Sequence, residues 1–243
     1  MLIKRKYMKI GIFGYGKMGK EIEKTALQRG HKIIFKINEG EKYDLSQVEI
    51  AIDFSLPNTA LENIITCFEN NIPIISGTTG WLKDYKQAID ACKKNNGSFI
   101  YASNFSIGVN IFFELNKQLS KMMNSLEEYS VNIEEIHHTK KLDSPSGTAI
   151  SIAEGIIENS SKVDWKLTNK NHATDPKLIP IEAKRIKNIP GTHLVSYKSE
   201  VDSIEIKHTA ENRKGFALGA IIAAEWLINK NGVYTMKDVL NIG

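Results

Sequence analysis

Short apolar runs rich in β-branched residues alternate with amphipathic stretches from residue 8 to about residue 103. Runs of the first kind are typical of buried strands, and apolar positions that recur every three to four residues are typical of helices. The pattern predicts strands at 9–13, 31–37, 49–54, 72–76 and 98–102, and helices at 17–29, 58–70 (capped by Asn58) and 82–95. Because parallel strands joined by helices need right-handed crossovers, we expect a doubly wound parallel sheet of the α/β class.

The pattern changes after Asn104. It predicts helices at 107–123, 147–159 and 216–229, and strands at 129–136, 179–187, 193–199 and 203–211. The last three strands have no helices between them, which is typical of an antiparallel or mixed sheet. Thr235 and Asp238 have the spacing of a capping box on a final short helix. We therefore predict two domains, one of residues 1–106 joined by the C-terminal helices at 213–243, and an α+β domain of residues 107–212.

Composition narrows the class of protein. Of the 243 residues, 42% are hydrophobic and 25% are charged, which excludes a disordered or collagen-like chain. The 32 Lys and Arg exceed the 28 Asp and Glu by a net charge of +4 without forming a long basic run, so we expect no nucleic-acid partner.

The same composition bears on location. The longest apolar run, at 216–224, is too short to span a bilayer, and no apolar segment follows the basic first seven residues. We therefore expect neither a membrane partner nor a secretory signal. Cys67 and Cys92 do not form a C-x-x-C pair, which favours a reduced, cytoplasmic chain.

A glycine-rich motif lies between the first predicted strand and the first predicted helix. Its G-x-G-x-x-G pattern consists of Gly14, Tyr15, Gly16, Lys17, Met18 and Gly19. Glycines allow the backbone to turn sharply and approach a pyrophosphate, while the helix N-terminus supplies free N–H groups. This context predicts a dinucleotide site, with a mere tight turn as the simpler alternative.

The end of the second predicted strand leaves the choice of dinucleotide open. Glu39, twenty residues after Gly19, is placed to accept hydrogen bonds from the ribose hydroxyls of NAD(H). Lys36 or Lys42 can instead meet the 2′-phosphate of NADP(H), and Glu39 can equally be a solvated loop residue. We therefore predict NADH, NADPH or both as cofactor.

Two loops of small residues follow later strands at the edge where open α/β sheets bind ligands. One loop contains Gly77, Thr78, Thr79 and Gly80, and the other contains Ala102, Ser103, Asn104, Phe105 and Ser106. Their hydroxyl and backbone groups suit a nicotinamide ribose and carboxamide, although each loop can also be an ordinary turn.

The densest group of reactive side chains is at 135–149. His137, His138, Lys140 and Lys141 follow a predicted strand, and four such side chains contribute nothing to an apolar core. Near neutral pH a histidine is a proton donor, and a lysine can fix a carboxylate or protonate a leaving group.

A predicted anion-binding site follows these side chains in the sequence. Ser146, Gly147 and Thr148 begin a predicted helix, whose N–H groups can bind a carboxylate. We predict an acid catalyst beside a dianion site. One alternative is a solvent-exposed loop without a functional role. Another is a metal site, but adjacent histidines have poor spacing for chelating a metal ion, so we predict no metal.

These motifs together resemble the dihydrodipicolinate reductase family nearly end to end. The resemblance rests above all on the signature His-His-x-x-Lys-x-Asp-x-Pro-Ser-Gly-Thr-Ala at 137–149. It includes the glycine loop, the segments at 52–55, 77–80 and 104–110, and the later residues Arg185, Gly191, His193 and Arg213.

The resemblance implies a Rossmann-type dinucleotide-binding domain and a second domain for substrate binding and assembly into a homotetramer. It implies that NAD(P)H reduces 4-hydroxy-tetrahydrodipicolinate to tetrahydrodipicolinate with loss of water, in lysine biosynthesis via diaminopimelate. The glycine loop is one residue shorter than in many relatives, and no arginine follows Glu39. Both departures concern the choice of cofactor.

The resemblance also implies roles for individual residues. His137 is the general acid or proton relay, and Lys141 is the second catalytic group. The substrate carboxylates are held by His138, Ser146, Gly147 and Thr148. The cofactor is held by the glycine loop, Glu39, Gly77, Thr78, Thr79, Ala102, Ser103, Asn104 and Phe105.

Two other functions remain to be compared with this one. Another two-domain dehydrogenase would act on an amino acid or a semialdehyde. A dinucleotide-sensing regulator would need neither the paired imidazoles nor the dianion seat at 137–149, so this loop argues against it.

Overall fold

The computed structural model describes residues 7–168 and 175–242. The chain divides into two compact units, the first formed by Met1–Ile107 with Arg213–Gly243 and the second by Gly108–Asn212. Most of the basic N-terminal segment, residues 1–6, lies outside the described residues. The assignment of cofactor binding to one unit and of substrate binding to the other stays a prediction.

The described residues contain eleven strands and seven α-helices. The strands are β1 (Lys9–Phe13), β2 (Lys32–Ile37), β3 (Ile50–Asp53), β4 (Ile74–Ser76), β5 (Ser98–Tyr101), β6 (Ser130–His137), β7 (Asp164–Leu167), β8 (Leu178–Arg185), β9 (Gly191–Lys198), β10 (Ser203–Ala210) and β11 (Gly232–Tyr234). The helices are α1 (Lys17–Gln28), α2 (Ala60–Glu69), α3 (Tyr85–Lys94, after a 3-10 turn at Leu82–Asp84), α4 (Ile107–Met123), α5 (Gly147–Ile157), α6 (Lys214–Leu227) and α7 (Met236–Leu240).

The first unit is built on a six-stranded sheet in the order β2-β1-β3-β4-β5-β11. Every pair of neighbouring strands in it is parallel. Because the chain proceeds outward from β1 in both directions, the order reverses between β1 and β3, where doubly wound sheets bind ligands beyond their carboxyl ends. The predicted parallel α/β fold is confirmed.

Helices cover both faces of this sheet. One core cluster joins Ile10 and Ile12 of β1 to Ile22 of α1 and to the small residues of α6, and a second cluster lies on the side of α2 and α3. A Cβ on Gly219 of α6 would lie 1.8 Å from the carbonyl oxygen of Phe105. Only glycine therefore lets α6 pack directly on the loop that follows β5.

The second unit is a mixed sheet in the order β10-β9-β6-β8-β7. The pairs β9–β10 and β6–β9 are antiparallel, whereas β6–β8 and β7–β8 are parallel. Val131, Ile133, Glu135 and His137 alternate as the buried positions of β6. The first two pack in a core that includes Ile152 of α5, so the same face of β6 carries an acid and an imidazole at its end.

Three details differ from the expectations. Strands β7 and β11 were not expected, because each is only three or four residues long and lacks a clear alternation. The N-cap of α2 is Thr59 rather than Asn58, without a side-chain hydrogen bond to the helix. The Asn58 side-chain amide donates to Glu39 Oε1 at 3.1 Å. Within the described ranges, the model shows no helix of sufficient length and apolarity to cross a membrane.

Candidate active site

The glycine loop connects β1 to α1, and its three glycines have different surroundings. Gly14 has φ +87°, and a Cβ there would lie 2.0 Å from the Phe54 carbonyl oxygen. A Cβ on Gly19 would lie 2.2 Å from the Gly14 carbonyl oxygen, whereas one on Gly16 would meet no heavy atom of the described part of the chain within 4 Å. The outer glycines therefore permit the turn and the packing of α1, and Gly16 leaves open space for a ligand.

The side chains of this loop lie beside β2. The Tyr15 hydroxyl donates to Glu23, and the Lys36 ammonium lies 2.7 Å from Glu23 Oε1 and 4.7 Å from the centroid of the Tyr15 ring. Lys17 is exposed and Met18 is half-buried. Lys36, one of the two lysines considered for a 2′-phosphate, is therefore held by a carboxylate.

A cavity of about 340 Å³ opens beside Gly14 at the end of β2. Its lining contains the carboxylates of Glu39, Glu41 and Glu62, and no Lys or Arg is among the described residues that line it. Lys42, the other lysine considered, is exposed and does not line this cavity. The surroundings of Glu39 are thus acidic.

Asp53 at the end of β3 anchors the neighbouring loops. This role of Asp53 was not predicted from the sequence. Its fully buried carboxyl accepts hydrogen bonds from four side chains, at distances of 2.5 to 3.1 Å. The donors are Ser55, Asn63, Ser76 and Thr78. Burial raises the pKa of Asp53, and the four donors oppose this increase. An acid at the end of an apolar strand was the available signal.

The two small-residue loops follow β4 and β5, which are adjacent strands. The Thr78 hydroxyl donates to Asp53 and accepts from the Ser55 N–H at 2.8 Å. Gly77, Ala102 and Asn104 are half-buried, and Thr79 and Ser103 are exposed. The Phe105 side chain is 1% exposed and belongs to the core, which leaves only its backbone for a ligand. The structure therefore brings all three glycine-containing or small-residue loops to one edge of the sheet.

In the second unit, strand register assembles a cluster around Glu135. Glu135 of β6 pairs with His193 of β9, and His137 pairs with Arg185 of β8. Sequence analysis assigned no role to Glu135, Arg185 or His193. The one signal for the burial of Glu135 was its spacing, because it follows Val131 and Ile133 at every second position of β6 and so lies on the same face.

The contacts of Glu135 divide between its two oxygens. Oε1 accepts from the Ser146 N–H at 3.0 Å and from Arg185 at 3.1 Å. Oε2 lies 3.3 Å from His137 Nδ1 and 3.8 Å from His193 Nε2, but neither Oε2 nor His137 Nδ1 is aligned for a hydrogen bond. Burial alone raises the pKa of this carboxyl, but the contacts with His137, Ser146 and Arg185 outweigh burial and lower it to about 2.

His193 is buried and uncharged at neutral pH. Burial, together with the neighbouring His137, lowers its pKa to about 3. Its Nε2 lies 3.3 Å from the hydroxyl of Ser146, which also accepts from the Ala149 N–H and caps α5. Ser146 is 2% exposed, so its side chain supports the helix end rather than facing solvent.

The remaining signature residues lie around the start of α5. Gly147 and Thr148 occupy the first turn of α5, where backbone N–H groups have no partner within the helix. Lys141 is half-buried with its ammonium 2.8 Å from Asp143, whereas Lys140 is exposed. His138 is half-buried, and its Nδ1 has no hydrogen-bond partner among the described residues.

One oxygen of Glu135 and one nitrogen each of His137 and His193 lie within 4.8 Å of one another. This trio differs from the adjacent histidine pair on which a metal was considered. The Arg185 guanidinium already supplies a positive charge 3.1 Å from the carboxylate. We interpret the trio as part of an ion-pair network and assign no metal to it.

Comparisons with known proteins agree with one another. Residues 8–105 match the family model for the N-terminus of dihydrodipicolinate reductase, and residues 108–240 match the model for its C-terminus. A 4-hydroxy-tetrahydrodipicolinate reductase from Christiangramia forsetii is 56% identical over 238 residues, which are 96% of this chain and 98% of that one. Another from Thermosipho africanus is 35% identical over 96% of this chain and 98% of its own.

A solved structure resembles the fold. It is the dipicolinate-bound dihydrodipicolinate reductase from Paenisporosarcina sp. TG-14, with a TM-score of 0.73 and 21% identity. The alignment covers 95% of this chain and 98% of that one.

Proposed function

The chain belongs to the dihydrodipicolinate reductase family, and from this premise we propose which of its residues carry out the reaction and which cofactor it uses. The activity is the NAD(P)H-dependent reduction of 4-hydroxy-tetrahydrodipicolinate to tetrahydrodipicolinate, with loss of water, in lysine biosynthesis via diaminopimelate. Hydride adds at C4 of the ring, and the 4-hydroxyl leaves as water after it receives a proton.

The first unit holds the nicotinamide cofactor, which supplies the hydride when bound. The open space beside Gly16, between two glycines that are closely packed, fits a pyrophosphate on the N–H groups at the start of α1. Glu39 meets the adenosine ribose. The loops that contain Thr78 and Asn104 orient the nicotinamide ribose and carboxamide, and thereby position the hydride donor.

NADH is the preferred cofactor or is used at least as well as NADPH. Three carboxylates line the cavity at the end of β2, with no Lys or Arg among its described lining residues, so a 2′-phosphate dianion is repelled there. Lys36 is paired with Glu23 and its charge is already partly neutralised.

The kcat/KM values for NADH and NADPH test this preference. An NADPH preference greater than about tenfold, or about 1.4 kcal/mol in transition-state stabilisation, contradicts it. Glu39→Gln and Glu41→Gln remove negative charge from the cavity, and both variants should shift the ratio toward NADPH.

The second unit holds the dicarboxylate and supplies the proton. The observation that carries this assignment is the end of β6 and the loop after it, where the imidazole of His137 and the ammonium of Lys141 precede the N-terminus of α5. His138, Gly147 and Thr148 bind carboxylate oxygens, with Ser146 holding the helix end. His137 donates the proton to the departing hydroxyl, and Lys141 acts on the reacting centre as the second catalytic group.

The direct test is oxidation of NADH and NADPH in the presence of freshly generated 4-hydroxy-tetrahydrodipicolinate. Turnover with this substrate, and none with amino acids or aspartate semialdehyde, is the expected result. Tight NADH binding without turnover would instead support a dinucleotide sensor.

We also propose a cytoplasmic location, because Cys67 and Cys92 are both free and buried, as in a reducing compartment.

A further inference from the structure

We propose that Glu135 and Gly191 are positioning residues for His137. Glu135 holds the ring in the Nδ1–H tautomer, and Gly191 leaves the space in which Nε2 transfers the proton. Glu135 lies beside Nδ1, and Gly191 leaves room beside Nε2. The inference rests on the proposed role of His137 as proton donor, and it concerns which atom acts and what holds it.

The hydrogen-bonding needs of the cluster assign the proton on Nδ1. Glu135 Oε1 is already satisfied by two donors, the Ser146 N–H and Arg185. Oε2 and His137 Nδ1 are both buried, have no hydrogen-bond partner among the described residues, and lie 3.3 Å apart. Because unpaired buried polar atoms are costly, a proton on Nδ1 directed at Oε2 satisfies both atoms.

His193 is the competing donor to Oε2, and its geometry is less favourable. Its Nε2 lies 3.8 Å from Oε2 but 3.3 Å from the Ser146 hydroxyl. His137 is therefore the nearer partner of Oε2. Such contacts are often loose in ligand-free enzymes and tighten when substrate binds.

This arrangement defines the proton transfer. The protonated imidazolium of His137 gives up the proton on Nε2 to the departing hydroxyl oxygen, which leaves as water. The ring keeps its Nδ1 proton, which stays directed at the ionised Glu135, and becomes neutral. Solvent then returns one proton to Nε2, so charge and protons balance over the cycle.

Gly191 controls the opposite edge of the ring. It is the first residue of β9 and is buried. A Cβ there would lie 3.1 Å from His137 Nε2 and 3.2 Å from its Cδ2, closer than ordinary contact. Because Gly191 does not have a positive φ, alanine fits its backbone without strain, so Gly191→Ala adds one methyl group beside Nε2 and changes no charge.

Glu135→Gln makes a sharp prediction because Ser146 and Arg185 both need an acceptor. The Gln carbonyl oxygen must face these two donors, so its NH₂ faces His137 Nδ1 and can only donate. Nδ1 then has to accept, and the neutral ring moves its proton to Nε2. An amide in place of such a carboxylate holds the wrong tautomer, and this costs a proton-transfer enzyme several orders of magnitude in rate.

The experiment is nitrogen NMR of the imidazoles in the full chain, with His137→Gln assigning the His137 signals, alongside steady-state kinetics. We expect the Nδ1–H tautomer in the neutral ring of the wild-type protein and the Nε2–H tautomer in Glu135→Gln, with kcat lowered about 10²-fold or more and the NADH KM unchanged. Gly191→Ala should keep the Nδ1–H tautomer and lower kcat at least about tenfold.

Gly215→Ala is the matched control, because a Cβ there meets only the Ser106 hydroxyl at 3.8 Å, and it should leave kcat and the tautomer unchanged. An Nε2–H tautomer in the wild-type protein overturns the proposal, as does a wild-type kcat in Gly191→Ala. If Glu135→Gln does not fold, the wild-type tautomer and Gly191→Ala still decide. The tautomer is observed without turnover, so a wrong substrate assignment leaves this result readable.

Discussion

Side chains in the second unit owe their positions to the alternation of one strand. Val131 and Ile133 direct β6 into the core, so Glu135 and His137 follow on the same buried face. Cross-strand pairing then sets His193 opposite Glu135, and Arg185 opposite His137. One register thus converts the end of a hydrophobic strand into a charged cluster beside α5.

Lys141 and its neighbour Lys140 are separated by this loop geometry. Lys141 is half-buried and paired with Asp143, whereas Lys140 is exposed. Lys141→Ala should lower kcat by about 10²–10⁴-fold, the range for lost acid–base catalysis, and Lys140→Ala should leave it near the wild-type value. His138→Ala and Thr148→Ala should act mainly on the substrate KM. Steady-state kinetics check all four variants, and a large loss in Lys140→Ala with an intact Lys141→Ala means that the register assigned to this loop is wrong.

His193 should make the fold sensitive to mild acid. Its pKa is about 3 in the folded chain, against 6.5 for an ordinary histidine, so below pH 6.5 the unfolded chain binds a proton that the folded chain does not. Stability therefore falls as pH decreases, by up to about 1.4 kcal/mol per pH unit. Urea unfolding from pH 7 to 5 measures how steeply the free energy of unfolding depends on pH. His193→Gln should reduce this slope by up to about 1.4 kcal/mol per pH unit, the value for one proton. Glu135 contributes little in this window, because the ordinary pKa of its carboxyl is 4.5 and its pKa in the folded chain is lower still.

At the scale of elements, the carboxyl ends of neighbouring strands are tied together by Asp53. Through Thr78 this carboxyl connects the loop after β3 to the loop after β4. The loops after β3 and β4 thus share one buried acceptor. Because we propose that Thr78 contacts the cofactor, we expect a change in this network to alter the affinity for the dinucleotide.

Thr78→Val tests this connection. It leaves the Ser55 N–H without its acceptor and removes one of the two donors to Asp53 Oδ2, while Ser76 still donates to that oxygen. These losses should cost about 1–3 kcal/mol of stability and weaken NADH binding at least about tenfold. Thr78→Ser keeps the hydroxyl and should behave like the wild-type protein. Thermal unfolding and NADH titration give the two readouts, and equal NADH affinity in the Val and Ser variants would count against Asp53 as an anchor.

The elements that could be predicted from sequence are those with a local signal. β1 and α1 have strong apolar periodicity and a glycine loop between them, so their order was confirmed. β1 has its predicted bounds, and α1 ends one residue before its predicted end. β11 has only three residues, and it forms because it pairs with β5, more than a hundred positions earlier in the chain. The Glu135 cluster needs the register of β6 with both β8 and β9, a long-range property that no single segment encodes.

On the scale of the whole molecule, the five-stranded sheet of the second unit has an edge strand of eight residues, β10. Ile204 on this strand is 39% exposed, although its parity matches that of the half-buried Ile206 and His208. A long, straight edge with exposed apolar positions tends to pair with another chain. We therefore expect β10 to be covered in a closed homo-oligomer. The family resemblance likewise implies a homotetramer.

Light scattering at micromolar concentration measures this assembly. We expect four 27.3 kDa chains per particle, since identical chains assemble in closed symmetric groups. Ile204→Asp places a charge on the β10 surface and should reduce the mass to dimers or monomers while circular dichroism stays unchanged. Val201→Asp adds the same charge three positions away, at a residue outside the strand that is 88% exposed, and should remain tetrameric. A stable 27.3 kDa species of the wild-type chain would contradict the tetramer, and loss of mass in both variants would mean that added charge alone, rather than the β10 edge, decides assembly.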